Sequence, residues 1–153
     1  IQSLSNDDLR SKTEDFKSQL KKATEELTKE IDLLKQKSED ETTELQEKET
    51  IYGQIDALEK DVVETTENLL EAILPEAFAV IKETAHRFSK GDIEVSASSF
   101  DKDLAASHSN ITIKGEKAIY HNKWLAAGNE ISWDMVHYDV QLIGYSLNFL
   151  LLI

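Results

Sequence analysis

The sequence predicts an α+β chain: a long antiparallel helical hairpin followed by a small mixed unit. Residues 5–70 contain one glycine, Gly53, and no proline, and their apolar residues return in steps of three and four. Beyond residue 70 the texture changes. Four of the five glycines and nine of the eleven aromatic residues lie there, together with short runs that alternate apolar and polar.

The first helix opens at Ser5, followed three residues on by Asp8, the pattern of an N-cap with an acid that can reach back to it. Its apolar stripe is Phe16, Leu20, Ala23, Leu27, Ile31 and Leu34. A second stripe runs through Leu45, Ile51 or Tyr52, Ile55, Leu58, Val62, Leu69 and Ile73. Between them, Lys37-Ser38-Glu39-Asp40-Glu41-Thr42-Thr43 has no apolar residue and reads as the turn that pairs residues 5–37 with 43–73. The turn has neither glycine nor proline, so one continuous helix seeking a partner chain is the alternative. Pro75, the single proline, suits the first turn of a further helix, with Glu76 complementing its dipole and Phe78, Ile81 and Ala85 on one face. That helix should end near Gly91.

Ile93-Glu94-Val95-Ser96 and Ile111-Thr112-Ile113-Lys114 alternate as half-buried strands do, and Gly115-Glu116 should turn the chain into a returning strand, Lys117-Ala118-Ile119-Tyr120. Short Asp/Ser/Asn-rich loops are expected between these pieces. The last run, Leu147 to Ile153, is apolar but far short of the about 20 residues that span a bilayer. It reads as a buried strand, or as a sequence foreign to the native protein.

Composition narrows the function. The formal net charge is −13. Residues 1–70 carry 19 Asp and Glu against 10 Lys and Arg, and residues 71–153 carry 11 against 7. Nucleic-acid backbones need clustered Lys and Arg, so no nucleic-acid partner is expected. There is no cysteine, which excludes disulfides and Cys-based zinc sites and fits a reducing compartment. His86, His108, His121 and His137 lack metal-ligand spacing, so no metal site is expected. Trp124 and Trp133 read as core aromatics of the mixed unit, and the acidic stripes as the solvated side of the hairpin. The start, Ile1-Gln2-Ser3-Leu4, has neither the basic region nor the apolar core of a secretory signal, and it is not an initiator methionine.

The sharpest chemical candidate is Met135-Val136-His137-Tyr138-Asp139-Val140-Gln141-Leu142-Ile143-Gly144. A glutamine side chain matches the donor and acceptor on one edge of adenine. An aromatic ring nearby offers a stacking face, and a methionine a pliable wall. Tyr138, Gln141 and Met135 could form such a pocket. Read from spacing alone, the same residues also fit a strand entry with a polar cap.

Three blocks, in order, resemble the SecA family, the ATP-driven motors of bacterial preprotein export. They are Leu4 to Phe16, the helix Leu74 to Arg87, and Met135 to Gly144. They cover about 40 of the 153 residues. About 50 residues separate Leu20 from Leu74, and about 45 separate Phe88 from Val136. Such insertions resemble those of Bacteroidetes-type SecA, as does the pattern Trp124-x-x-x-Gly128-Asn129-Glu130-Ile131-x-Trp133-Asp134-Met135.

The resemblance implies an N-terminal piece of the motor. Residues 1–73 would be an N-terminal helix with a helical-hairpin insertion. Residues 74–153 would be the start of a P-loop, DEAD-like α/β nucleotide-binding domain with a β-rich insertion at about 91–134. Met135, Tyr138 and Gln141 would belong to the adenine-recognising Q motif. The whole motor would use ATP and ADP with magnesium. Its partners would be the SecYEG channel, unfolded preprotein, acidic membrane lipid and a second SecA copy, and it would lie in the cytoplasm at the inner membrane.

The chain also departs from the family pattern. Gly144 is followed by Tyr145-Ser146-Leu147, not by a second glycine and a strand to the phosphate loop. No G-x-x-x-x-G-K-[ST] occurs, and no Asp-Glu pair stands ready for magnesium. This chain alone is therefore expected neither to hydrolyse ATP nor to hold nucleotide. The competing reading is a stand-alone hairpin interaction module with no nucleotide role.

Overall fold

The structure, a computed structural model, describes residues 1–40 and 42–142. Glu41 in the turn, the end of the Met135–Gly144 segment and the apolar run from Leu147 to Ile153 lie outside the described residues. The fold is α+β, with α1 (Asn6–Glu39), α2 (Leu45–Lys90), β1 (Ile93–Ser96), α3 (Ser99–Ser107), β2 (Ile111–Lys114), β3 (Lys117–Tyr120), β4 (Lys123–Ala126) and β5 (Asn129–Ser132). The chain divides into two compact units, residues 13–75 and residues 1–12 with 76–153.

Residues 13–75 form a hairpin of two helices; α1 ends at Glu39 and a new helix starts at Leu45, so one continuous helix is ruled out. Ile31, Ile51 and Ile55 are buried together, with Leu34, Leu58 and Val62 packed against them. The pair left open in the second stripe resolves to Ile51, and Tyr52 is exposed. Leu45, expected to face inward, is also exposed. It stands six residues before Ile51, about 120° round the helix from the buried line, so α2's own phase turns it outward.

Side chains replace glycine in the turn. Asp40 Oδ1 accepts from the Thr42 backbone N–H at 2.8 Å and from the Thr42 hydroxyl at 2.7 Å, a local Asx turn. The Thr43 hydroxyl donates to the Lys37 carbonyl at 2.8 Å, satisfying one of the last orphan carbonyls of α1. Two ion pairs, Lys35–Glu59 at 3.0 Å and Lys37–Glu47 at 2.6 Å, join the helices. Both are solvated, so each contributes at most about 1 kcal/mol.

The helix expected to open at Pro75 does not. Pro75 lies inside α2, which continues unbroken from Leu45 to Lys90. A proline inside a helix deprives the carbonyl four residues earlier of its donor. Here that residue is Glu71, and both Glu71 and Pro75 are exposed, so water can satisfy the freed carbonyl. The expected end near Gly91 is observed.

In the other unit, β1, β3 and β2 form an antiparallel sheet in that order. Val95 pairs with Ala118, and Ala118 with Ile113. Gly115 turns β2 into β3 with φ 60°, the left-handed conformation a two-residue hairpin needs at its first position. The segment between β1 and β2, expected as loop, contains α3. Its capping box, Ser98 with Asp101, is the same signal that opens α1 at Ser5 with Asp8. β4 and β5 form a separate two-stranded ladder joined through Ala127 and Gly128, both at positive φ.

The first turns of α1 clamp this unit. Asp7 accepts from the Ser96 backbone N–H at 2.7 Å and its hydroxyl at 2.8 Å, and the Asn6 amide donates to the Glu94 carbonyl at 3.1 Å. These bonds cover the outer edge of β1, which a bare sheet would leave open to pairing.

Candidate functional site

Trp133 leaves β5 and starts an extended stretch that ends in a helical turn at residues 139–142. The strand entry allowed by spacing is therefore not what forms. Asp139 sits in the first turn and Gln141 three residues past Tyr138, where a side-chain acceptor suits the orphan N–H groups of a helix start. The Gln141 side-chain oxygen accepts from the Tyr138 backbone N–H at 2.9 Å. In return the Gln141 backbone N–H donates to the Tyr138 carbonyl at 3.0 Å.

This reciprocal pair joins two of the three predicted site residues and fixes the glutamine side chain over the turn. Among the described residues the amide nitrogen of Gln141 has no hydrogen-bond partner, and its oxygen keeps a second lone pair. The Tyr138 side chain stands clear, 72% exposed, and Met135 is 52% exposed in the stretch leading in. Leu142, buried, anchors the turn from beneath.

Two contacts that sequence reasoning did not anticipate fasten this segment to the last turns of α2. Lys82 forms an ion pair with Asp139. The ring of Trp133 packs on that of Phe88 with centroids 5.9 Å apart and planes inclined at 44°. Lys82 and Phe88 lie six residues apart on α2, and no local spacing links them to residues 50 or so further on. Trp133 Nε1 and His137 Nδ1 are buried and have no partner among the described residues.

The most demanding electrostatics lie elsewhere, at Asp101, which is fully buried. Arg10 grips it with two bonds of 2.9 Å. The Ser98 backbone N–H and hydroxyl donate at 2.7 and 2.6 Å, and the Tyr120 hydroxyl donates to the other oxygen. Burial by itself would raise the carboxyl pKa, but the donors from Arg10, Ser98 and Tyr120 outweigh it and hold the group well below the usual carboxylate range. Burial and the adjacent carboxylate push the Tyr120 hydroxyl up to about 12. All its donors are accounted for within the fold, so the cluster reads as a structural clasp.

His121 braces the sheet in a similar way. Its Nδ1 lies 2.7 Å from Asp92 and its Nε2 2.8 Å from Thr112. Among the described residues no group of three or more His, Asp or Glu is placed to hold a metal ion. No helix of the described residues is long and apolar enough to cross a membrane.

Residues 1–148 match the family described as SecA DEAD-like domain. Curated relatives agree. The protein translocase subunit SecA of Porphyromonas gingivalis W83 is 48% identical over 145 residues, that of Flavobacterium psychrophilum 48%, and that of Bacteroides fragilis 42%. Each alignment covers 94% of this chain but only 13% of the relative. No solved structure matches it significantly. The chain belongs to the SecA DEAD-like domain family, and its match runs from the first helix through the Tyr138–Gln141 turn.

Proposed function

We propose that this chain supplies the adenine-recognising face of a SecA-type preprotein motor, at the start of a P-loop nucleotide-binding domain. The observation that carries the reading is the Tyr138–Gln141 turn. A glutamine whose amide nitrogen is unpaired stands beside an exposed tyrosine ring on a segment fastened to a long helix. Gln141 would accept from the adenine amino group and donate to the neighbouring ring nitrogen, Tyr138 would offer the stacking face, and Met135 would wall the pocket.

These residues suit the base of ATP or ADP and not its phosphates. The Gly-rich loop with lysine and the magnesium carboxylates that hold phosphate in P-loop proteins do not occur in this sequence. Bound nucleotide with magnesium would supply the phosphoryl-transfer energy; the part of Met135, Tyr138 and Gln141 is to select and orient the base. In the whole motor that energy would move unfolded preprotein through the SecYEG channel. Acidic lipid and a second SecA copy complete the proposed partners, with the motor cytoplasmic and peripheral to the inner membrane.

The test is titration calorimetry with ADP and GDP. In a full-length motor carrying this chain, Gln141→Ala removes two hydrogen bonds of about 0.5–1.5 kcal/mol each, which weakens ADP about tenfold or more. It should also erase the preference for ADP over GDP. The 153-residue chain alone should bind ADP no tighter than about millimolar. A Gln141→Ala motor that still prefers adenine by the parental margin refutes the reading.

A further inference from the structure

The hairpin carries a second apolar line that its own packing leaves unused. Leu45, Tyr52 and Val63 are 77%, 53% and 55% exposed. They stand seven and eleven residues apart on α2. At 100° per residue they fall within about 20° of a single line. The residues that α2 commits to the hairpin core, Ile51, Ile55 and Leu58 with Val62, lie about 110° away round the helix. The exposed line extends for about 27 Å at 1.5 Å per residue, the reach of about five turns of a partner helix.

Scattered exposed apolar residues are ordinary, but a register of large ones along one helical line is the pattern of a helix that docks another. The charge around it selects the partner. Residues 13–75 hold 18 Asp and Glu against 8 Lys and Arg, so most of the chain's net charge of −13 sits on this hairpin. Glu49, Asp56 and Glu67 flank the line and have no ion-pair partner among the described residues. A second copy of the hairpin would bring two strongly acidic surfaces together, which like-charge repulsion opposes. We propose that this face of α2 docks a basic amphipathic helix of another protein. Apolar side chains of that helix would seat on Leu45, Tyr52 and Val63, and its Lys and Arg would meet the flanking carboxylates. This surface is independent of the adenine-recognising turn.

Fluorescence anisotropy on the full 153-residue chain tests the proposal. The probes are a labelled 21-residue amphipathic Lys/Leu helix, a scrambled peptide of the same composition, and a Glu/Leu analogue. The amphipathic basic peptide should bind, and the other two should bind at least tenfold more weakly. Tyr52→Ser with Val63→Ser should weaken binding at least tenfold while helical circular dichroism is kept. Glu49→Gln with Asp56→Asn should weaken it severalfold and flatten its salt dependence. Leu33→Ser, another exposed leucine of the hairpin, should leave it unchanged. Equal binding of the scrambled peptide, or indifference to the Tyr52/Val63 pair, overturns the proposal. So does sedimentation showing a dimer that the same pair dissolves, because the occupant is then a second copy.

Discussion

Arg10 and Asp101 are 91 residues apart in sequence and joined by two hydrogen bonds of 2.9 Å, one to each carboxylate oxygen. The pair fastens the first helix to the capping box of α3. Removing one partner of a buried ion pair strands the other, at about 3–5 kcal/mol. Arg10→Met should therefore lower the stability of this unit by about that amount in urea unfolding. Asp101→Asn should cost less than Asp101→Ala, because the amide can still accept from Ser98 or Tyr120.

The same carboxylate sets an acid limit. Its folded pKa is depressed below the unfolded value of about 3.9, so its contribution is complete at neutral pH. That contribution is lost as pH falls below about 4 toward the folded value. Thermal melts from pH 7 to pH 2 should show a steep acid limb, and Asp101→Asn should flatten it. An unchanged limb would mean that other carboxylates govern acid unfolding.

Ile55 and Leu45 test the phase of α2. Ile55→Ala should cost about 2–4 kcal/mol, because it leaves a cavity in the hairpin core, whereas Leu45→Ala should cost less than about 0.5 kcal/mol. Equal effects in chemical denaturation would contradict the observed burial.

Pro75 is a helix breaker that fails to break. Pro75→Ala restores the N–H that Glu71 lacks and relieves the ring, so it should stabilise α2 by about 1–3 kcal/mol. Hydrogen exchange should slow at residues 72–79. Faster exchange there would mean that proline, not the residues around it, sets the local conformation.

Ala127 occupies the left-handed region at φ 49°, followed by Gly128 at φ 81°. A two-residue turn with both residues left-handed favours Asn-Gly, so Ala127→Asn should raise the melting temperature, by about 0.5–1 kcal/mol of stability. A lower melting temperature would place the turn in another class.

The sequence alone determined the elements whose signals are local. The 3.6-residue stripes of the hairpin, the alternation of β1 and β2, the Gly115 turn and the Ser5–Asp8 cap each depend on residues within one or two turns of each other. It also determined family membership, because the three blocks keep their order across the insertions. α3 was legible in principle, since Ser98 and Asp101 repeat the cap of α1, but its nine-residue helix sits between polar residues that read as loop. The structure alone decided the rest. Whether Pro75 starts a helix or lies within one depends on whether water reaches the Glu71 carbonyl. That Arg10 meets Asp101, Lys82 meets Asp139 and Phe88 meets Trp133 depends on where the chain brings distant segments together. Periodicity and propensity act over a few residues, whereas these pairings arise only when the sheet and the ends of the helices pack, so nothing in the linear spacing encodes them.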